Sequence, residues 1–157
     1  TGFSTAVGMA IARKLDASPR YVYALLGDGE LDEGQVWEAA MSAAHYRLSH
    51  LIAFVDHNGL QIDGACAEVM GVDPVDDKFA AFGWDVQNVD GHDFNAIADA
   101  VAGGKTQGAA DGKPQMIVLH TVKGKGVSFM ENQAGWHGKA PDAQQTEEAL
   151  KELEVEA

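Results

Sequence analysis

The sequence predicts an α/β fold, a mostly parallel sheet with helices on both faces. Three observations carry this. Short apolar runs alternate with segments of helical spacing along the whole chain, the order that builds parallel sheets from crossover units. The first two, YVYALL and LIAFVD, are short and continuously apolar, as strands covered on both faces are. Each run also ends in a polar or glycine-rich stretch: GDG after YVYALL, DHNG after LIAFVD, VDGHD at the close of WDVQNVD and TVKGKG after QMIVLHT. Open parallel sheets bind ligands beyond the carboxyl ends of their strands, so these four stretches mark where a site is to be sought.

Taken in order, FSTAVGMAIARKLDA (3–17) sets Val7, Ile11 and Leu15 in one helical row and stops at Ser18-Pro19-Arg20. YVYALL (21–26) is the first strand, buried on both faces, and Gly27-Asp28-Gly29 breaks it. EGQVWEAAMSAAHYRL (33–48) is a helix with Val36, Ala40, Ala43 and Ala44 on one face, small enough for close packing. LIAFVD (51–56) is the second strand and HNGLQIDG (57–64) is turn-rich. VDDKFAAFG (75–83) is a helix closed by a glycine cap. WDVQNVD (84–90) is the third strand, DFNAIADAVAGG (93–104) a helix capped by Asp93, and QMIVLHT (115–121) the fourth strand. A glycine-rich polar loop (123–140) and an acidic helix (146–157) follow. Trp37 and Trp84 are expected in the core, and His45 is expected to pack or cap.

A chain of 157 residues is long enough for one domain with a real core, and we read 1–157 as a single domain. Acids outnumber bases 24 to 11, a net charge of −13 that disfavours nucleic acid as a partner. No run of 18 apolar residues exists, so no membrane-spanning segment is expected. The single Cys66 excludes an internal disulfide and suits a reducing, cytoplasmic setting; it is read as a small packing residue. The start at Thr1-Gly2, within a helical pattern, reads as a piece of a longer protein.

Asp28 and Asn58 each follow an apolar strand by one or two residues. If those strands are neighbours, both side chains project over one edge of the sheet. A carboxylate and an amide oxygen are hard donors, suited to Mg2+ or Ca2+. Two such ligands are too few for an all-protein cage. They suit a metal shared with a diphosphate. Gly27 and Gly29 are expected to let the backbone approach phosphate and to adopt positive φ. The helix that follows points its N-terminus at the same place, and Glu30 and Asp32 are expected to serve the start of that helix.

These motifs resemble the thiamine-diphosphate signature of transketolases. The stretch from GDG through EGQVWEA to AAHYRLSHLIAFVDHNGLQIDG carries it, with Asp28 and Asn58 thirty positions apart. VDGHD (89–93), KPQMIVLHTVKGKGV (113–127) and WHGKAP (136–141) extend it over nearly the whole chain. The resemblance implies a thiamine-diphosphate-binding fold and a transferase. Such an enzyme moves a two-carbon ketol unit between sugar phosphates, as in the pentose phosphate pathway. Asp28 and Asn58 would bind the metal through side chains and Leu60 through its carbonyl. Gly27, Gly29, Glu30 and Lys123 would contact the cofactor. His137 would stand near the diphosphate and the substrate entrance. Glu33 would belong to a carboxylate network at a subunit interface, with Glu38 in the same neighbourhood; His137 and Glu33 are the catalytic residues implied.

Family members need a second, pyrimidine-binding domain, which these residues do not contain. The chain is therefore expected to be inactive alone. It would need that domain or a C-terminal transketolase subunit, in a homodimer or heterotetramer. The glycine-rich run that relatives carry before the first helix is shortened here. Two rival readings stand beside this one. The first is another thiamine-diphosphate enzyme, of dihydroxyacetone synthase or deoxyxylulose-phosphate synthase type. The second is a non-catalytic fragment that keeps the fold.

Overall fold

The structure is a computed structural model that describes residues 1–154. In chain order it comprises α1 (Gly2–Leu15), β1 (Val22–Gly27), a 3-10 turn (Gly29–Asp32), α2 (Gly34–His45) and β2 (Leu51–His57). A hairpin of β3 (Leu60–Gln61) and β4 (Gly64–Ala65) leads into a short helix α3 (Cys66–Val69). Then come α4 (Val75–Ala81), β5 (Asp85–Asp90), α5 (Phe94–Asp111), β6 (Gln115–His120), a 3-10 turn (Ala134–Trp136) and α6 (Ala143–Glu154). The last three positions of the acidic helix expected over 146–157 lie outside the described residues.

β1, β2, β6 and β5 form one sheet in that order, and every neighbouring pair is parallel. This is the α/β arrangement expected from the alternating runs. One face carries the main core. Phe3 of α1, Val36 of α2 and Phe79 of α4 pack there on Leu51, Val55 and Met116. Trp37 and Trp84 stack about Phe79 at 5.3 and 5.5 Å between ring centroids. Their indole N–H groups donate to the Leu31 and Ala40 carbonyls at 2.8 and 2.9 Å, the partner a buried indole requires. On the other face Ala100 of α5 packs over Ile52 and Ile117.

Four expectations change. β1 is not buried on both faces: Tyr23 and Leu25 are 49% and 68% exposed. β1 is the end strand among the described residues, and α5 packs over β5 and β6 at the far side of the sheet. The helix expected to stop at Gly103-Gly104 runs on to Asp111 and closes at Gly112, whose φ of 80° gives a left-handed cap. The glycines inside α5 serve packing. A Cβ on Gly104 would sit 3.3 Å from Gln115, and one on Gly108 would sit 2.7 Å from the Ser49 carbonyl. In α1 the buried residues are Phe3, Ala6, Val7 and Ala10, while Leu15 points to solvent. His45 is likewise exposed, edge-on to Tyr46, and neither packs in the core nor caps.

Candidate functional site

The pairing of β1 with β2 brings the two candidate ligands together. Their register sets Gly27 opposite Asp56, so Asp28 and Asn58 leave the same end of the sheet. Asp28 is buried, 2% exposed. Its Oδ2 accepts the Gly59 backbone N–H and lies 3.8 Å from the Cys66 sulfur. Its Oδ1 is buried and has no partner. Burial, only partly offset by the Gly59 bond, holds this carboxyl above its ordinary range. Burial and the adjacent Asp28 push the Cys66 thiol up to about 11. Cys66 thus stays protonated and serves Asp28 as an S–H donor, a use that its reading as a packing residue did not foresee.

Asn58 sits at the turn into the hairpin. Its Oδ1 accepts the Leu60 N–H at 3.0 Å and its Nδ2 donates to Asp56 Oδ2 at 3.2 Å. Asp56 Oδ1 accepts the Thr121 hydroxyl from the end of β6. Gly59 takes φ 75°, and its carbonyl accepts the Cys66 N–H at 2.9 Å, which ties the hairpin base to the floor under Asp28. Gly27 and Gly29 do not adopt positive φ, contrary to expectation. A Cβ on Gly29 would meet the Cβ of Gln61 at 3.0 Å, so glycine is needed there for the hairpin to approach. A Cβ on Gly27 would meet nothing within 4 Å, so its bareness serves no contact within the chain.

A cleft of about 560 Å³ opens above these groups. Gly27, Asp28, Gly29, Glu30 and Glu33 line one wall, with Asn58 and Leu60 beside them. Lys123 and His137 close it from the long loop. Every residue named above as a metal ligand, cofactor contact or catalytic residue therefore borders this one cleft. Glu38 does not; it lies exposed on α2. Glu33 is also largely exposed, and its carboxylate accepts from Gln35 Nε2 at 3.2 Å. Glu30 and Asp32 do not serve the start of α2. They lie in the preceding 3-10 turn, and Asp32 accepts from Gln61 Nε2 at 3.1 Å. That turn also separates the N-terminus of α2, at Gly34, from Gly29.

The loop bearing Lys123 is anchored at both sides. The Lys123 carbonyl accepts the Asn132 N–H at 2.9 Å, and the Val122 N–H donates to His92 Nε2 at 2.8 Å. His137 is exposed beside Trp136, whose indole donates to the Phe129 carbonyl at 2.9 Å. Sequence reasoning missed Asp56, Gln61 and Thr121, and gave Cys66 a packing role only. One signal was available: Asp56 lies two positions before Asn58, the spacing that keeps side chains on one side of an extended chain.

The donor set fits a hard divalent cation. Among the described residues no group of three or more His, Cys, Asp or Glu is placed to hold a metal. What the cleft offers is one buried carboxylate oxygen without a partner, one amide oxygen with a second lone pair, and the Leu60 backbone. Such a set leaves coordination positions for oxygens of a ligand and water. The walls also carry Asp28, Glu30, Glu33 and Asp56 against Lys123. A bare diphosphate would be repelled there, and a divalent cation reverses that.

Comparisons with known proteins show the family. The family model described as "Transketolase, thiamine diphosphate binding domain" matches residues 1–157. The 6-deoxy-6-sulfo-D-fructose transketolase subunit SqwG of Clostridium sp. (strain MSTE9) is 50% identical over 155 residues, 99% of this chain and 55% of that protein. An apulose-4-phosphate transketolase subunit of Phocaeicola vulgatus is 43% identical over 97% of this chain and 53% of its own length. The chain thus spans about half the length of these curated relatives. The transketolase of Campylobacter jejuni superposes with a TM-score of 0.75 at 27% identity, over 99% of this chain and 29% of that one. With its whole length matched by the family model and its cleft built on the signature residues, this chain belongs to the transketolase thiamine-diphosphate-binding family.

Proposed function

We propose that the chain is the diphosphate- and metal-binding domain, or subunit, of a transketolase that moves a two-carbon ketol unit from a ketose phosphate to an aldose phosphate. The observation that carries this is the buried, unpartnered Oδ1 of Asp28, a residue that lines one cleft together with Asn58, Leu60 and Lys123. In this reading Asp28, Asn58 and the Leu60 carbonyl hold Mg2+, or Ca2+ in its place. Gly27 and Gly29 keep the backbone clear of the diphosphate, Glu30 borders it, and Lys123 adds a compact positive charge. His137, exposed at the mouth, donates to a sugar or phosphate oxygen. Glu33, exposed at the rim, meets a partner subunit. Thiamine diphosphate, when bound, supplies the carbanion chemistry of ketol transfer.

The remaining parts come from elsewhere. Two relatives are named as transketolase subunits, which supports a partner that carries the pyrimidine-binding domain, in a homodimer or heterotetramer. One domain over 1–157, inactive by itself, follows from the same reading. The lone Cys66 and the substrate class support a cytoplasmic setting and a place in pentose phosphate metabolism.

Calorimetric titration of thiamine diphosphate with Mg2+ into the assembled full enzyme tests the proposal. The wild type is expected to bind, and Asp28→Ala is expected to lose metal-dependent binding. Unchanged affinity in Asp28→Ala would overturn the assignment.

A further inference from the structure

We infer that Asp56 and Thr121 form a positioning device that fixes which way round the Asn58 amide is presented, so that its oxygen and not its nitrogen meets the cation. The inference rests on the proposed role of Asn58 as a metal ligand. The two ends of an amide are nearly the same size. A divalent cation takes the oxygen and is repelled by the NH2 group. An asparagine ligand thus needs something to decide its orientation.

The structure supplies a decision at each end. Asn58 Nδ2 faces Asp56 Oδ2 at 3.2 Å, and an ionised carboxylate can only accept. Asn58 Oδ1 faces the Leu60 N–H at 3.0 Å, which can only donate. The reversed amide would set oxygen against carboxylate and NH2 against N–H. Asp56 is held in turn by the Thr121 hydroxyl on its other oxygen. Thr121 is fixed by its own N–H, which donates to the His57 carbonyl at 3.2 Å. The device joins the ends of β2 and β6 to the hairpin turn. Asp56 borders the cleft, yet both of its oxygens are engaged, whereas Asp28 keeps one oxygen free. The two aspartates therefore have different roles: Asp28 as ligand, Asp56 as the group that orients a ligand.

Mn2+ is the probe, read by the loss of its free-ion paramagnetic resonance signal as it binds the full enzyme with its partner and thiamine diphosphate. Removing an outer-shell partner of a metal ligand typically weakens binding by roughly 10–100-fold, and Asp56→Asn is expected to do so. An asparagine at 56 can turn its NH2 towards Asn58 and reverse the amide. The swap Asp56→Asn with Asn58→Asp should restore most of the affinity, because a carboxylate presents oxygen either way round. Two further variants separate positioning from charge. Asp56→Glu keeps the charge but moves the carboxylate, and Thr121→Val removes only the hydroxyl. Both are expected to weaken Mn2+ binding, Thr121→Val by the smaller factor, with the melting temperature of the metal-free protein unchanged. Mn2+ affinity within twofold of wild type in Asp56→Glu and Thr121→Val would overturn the inference. So would a swap variant as weak as Asp56→Asn. A wild-type enzyme that binds no Mn2+ would instead overturn the metal site on which it rests.

Discussion

Two polar corners share the carboxyl end of the sheet, built from the same kinds of residue. Over β5 and β6, His120 Nε2 pairs with Asn88 Oδ1 at 2.9 Å, and Asn88 Nδ2 donates to Asp76 at 3.1 Å. Asp90 accepts the His92 N–H at 2.9 Å, His92 accepts the Val122 N–H at 2.8 Å, and Asp93 caps α5 through two N–H bonds. In these bonds both partners belong to the chain itself, and they hold loops. Over β1 and β2, Asp28 is buried with one oxygen unpaired, and a Cβ on Gly27 would meet nothing within 4 Å. In a chain of net charge −13 the density of carboxylates does not mark a site. Unused bonding capacity in a buried group does, because its desolvation is uncompensated until something binds.

The sharpest way to break this contrast is to disturb the corner over β5 and β6, whose polar groups are paired within the chain. A Cβ on Gly91 would collide with Thr121 Cγ2 and lie 3.0 Å from Leu119 Cβ and 3.2 Å from the His120 carbonyl. Gly91→Ala is expected to destabilise the protein by about 3 kcal/mol, at the upper end of overpacking costs. The midpoint of urea unfolding measures this. A midpoint unchanged from wild type would mean that the corner has slack, and the contrast with the Asp28 corner would weaken.

At the open corner the sign should reverse. In the metal-free protein Asp28→Asn removes a buried charge whose oxygen has no partner, and a gain of about 1 kcal/mol is expected at neutral pH. The pH dependence gives an independent check. Asp28 has a native value raised above its ordinary 3.8. The native state therefore holds its proton more tightly than the unfolded state does. Its contribution favours folding below 3.8 and is lost as pH rises from there through the raised native value. Asp76, Asp111 and Glu152 are shifted downward and act with the opposite slope. The comparison must therefore be wild type against Asp28→Asn, read as the difference in unfolding free energy across pH. A variant less stable than wild type without metal would show that the Gly59 and Cys66 bonds already compensate the charge.

The same contrast separates what was legible beforehand from what was not. The strands could be read because little except a buried strand gives a short continuous apolar run in a chain with this alternation. Asp28 and Asn58 could be read because both follow such runs, and the β1–β2 pairing then does the rest. The end of α5 could not, because Gly104 and Gly108 look like helix breakers and act as contact points for Gln115 and Ser49. The exposure of Tyr23 and Leu25 could not, because strand order is a tertiary property. All four polar strand ends were candidate site material, with Asp28 and Asn58 singled out among them. The hydrogen-bond partners of Asp28, against those of His92 and His120, add the contrast between an unpaired buried oxygen and groups paired within the chain.

The smallest expected effect lies where the corners meet. His57 ends β2, pairs with Asp73 at 3.0 Å, and sets its ring edge-on to His120 with centroids 5.3 Å apart. Asp73 is 70% exposed, and exposed pairs of this kind contribute little. His57→Asn is expected to change unfolding free energy by less than about 0.5 kcal/mol, with thiamine-diphosphate affinity in the assembled enzyme within twofold of wild type. His57 also acts electrostatically on Asp28, favouring its ionised form. A loss above about 1 kcal/mol in His57→Asn, well beyond what an exposed pair contributes, or a marked fall in cofactor affinity, would mean that strain at the β5–β6 corner reaches Asp28. The two corners would then be one cooperative unit, and the hydrogen bonds over β5 and β6 would count as part of the candidate site.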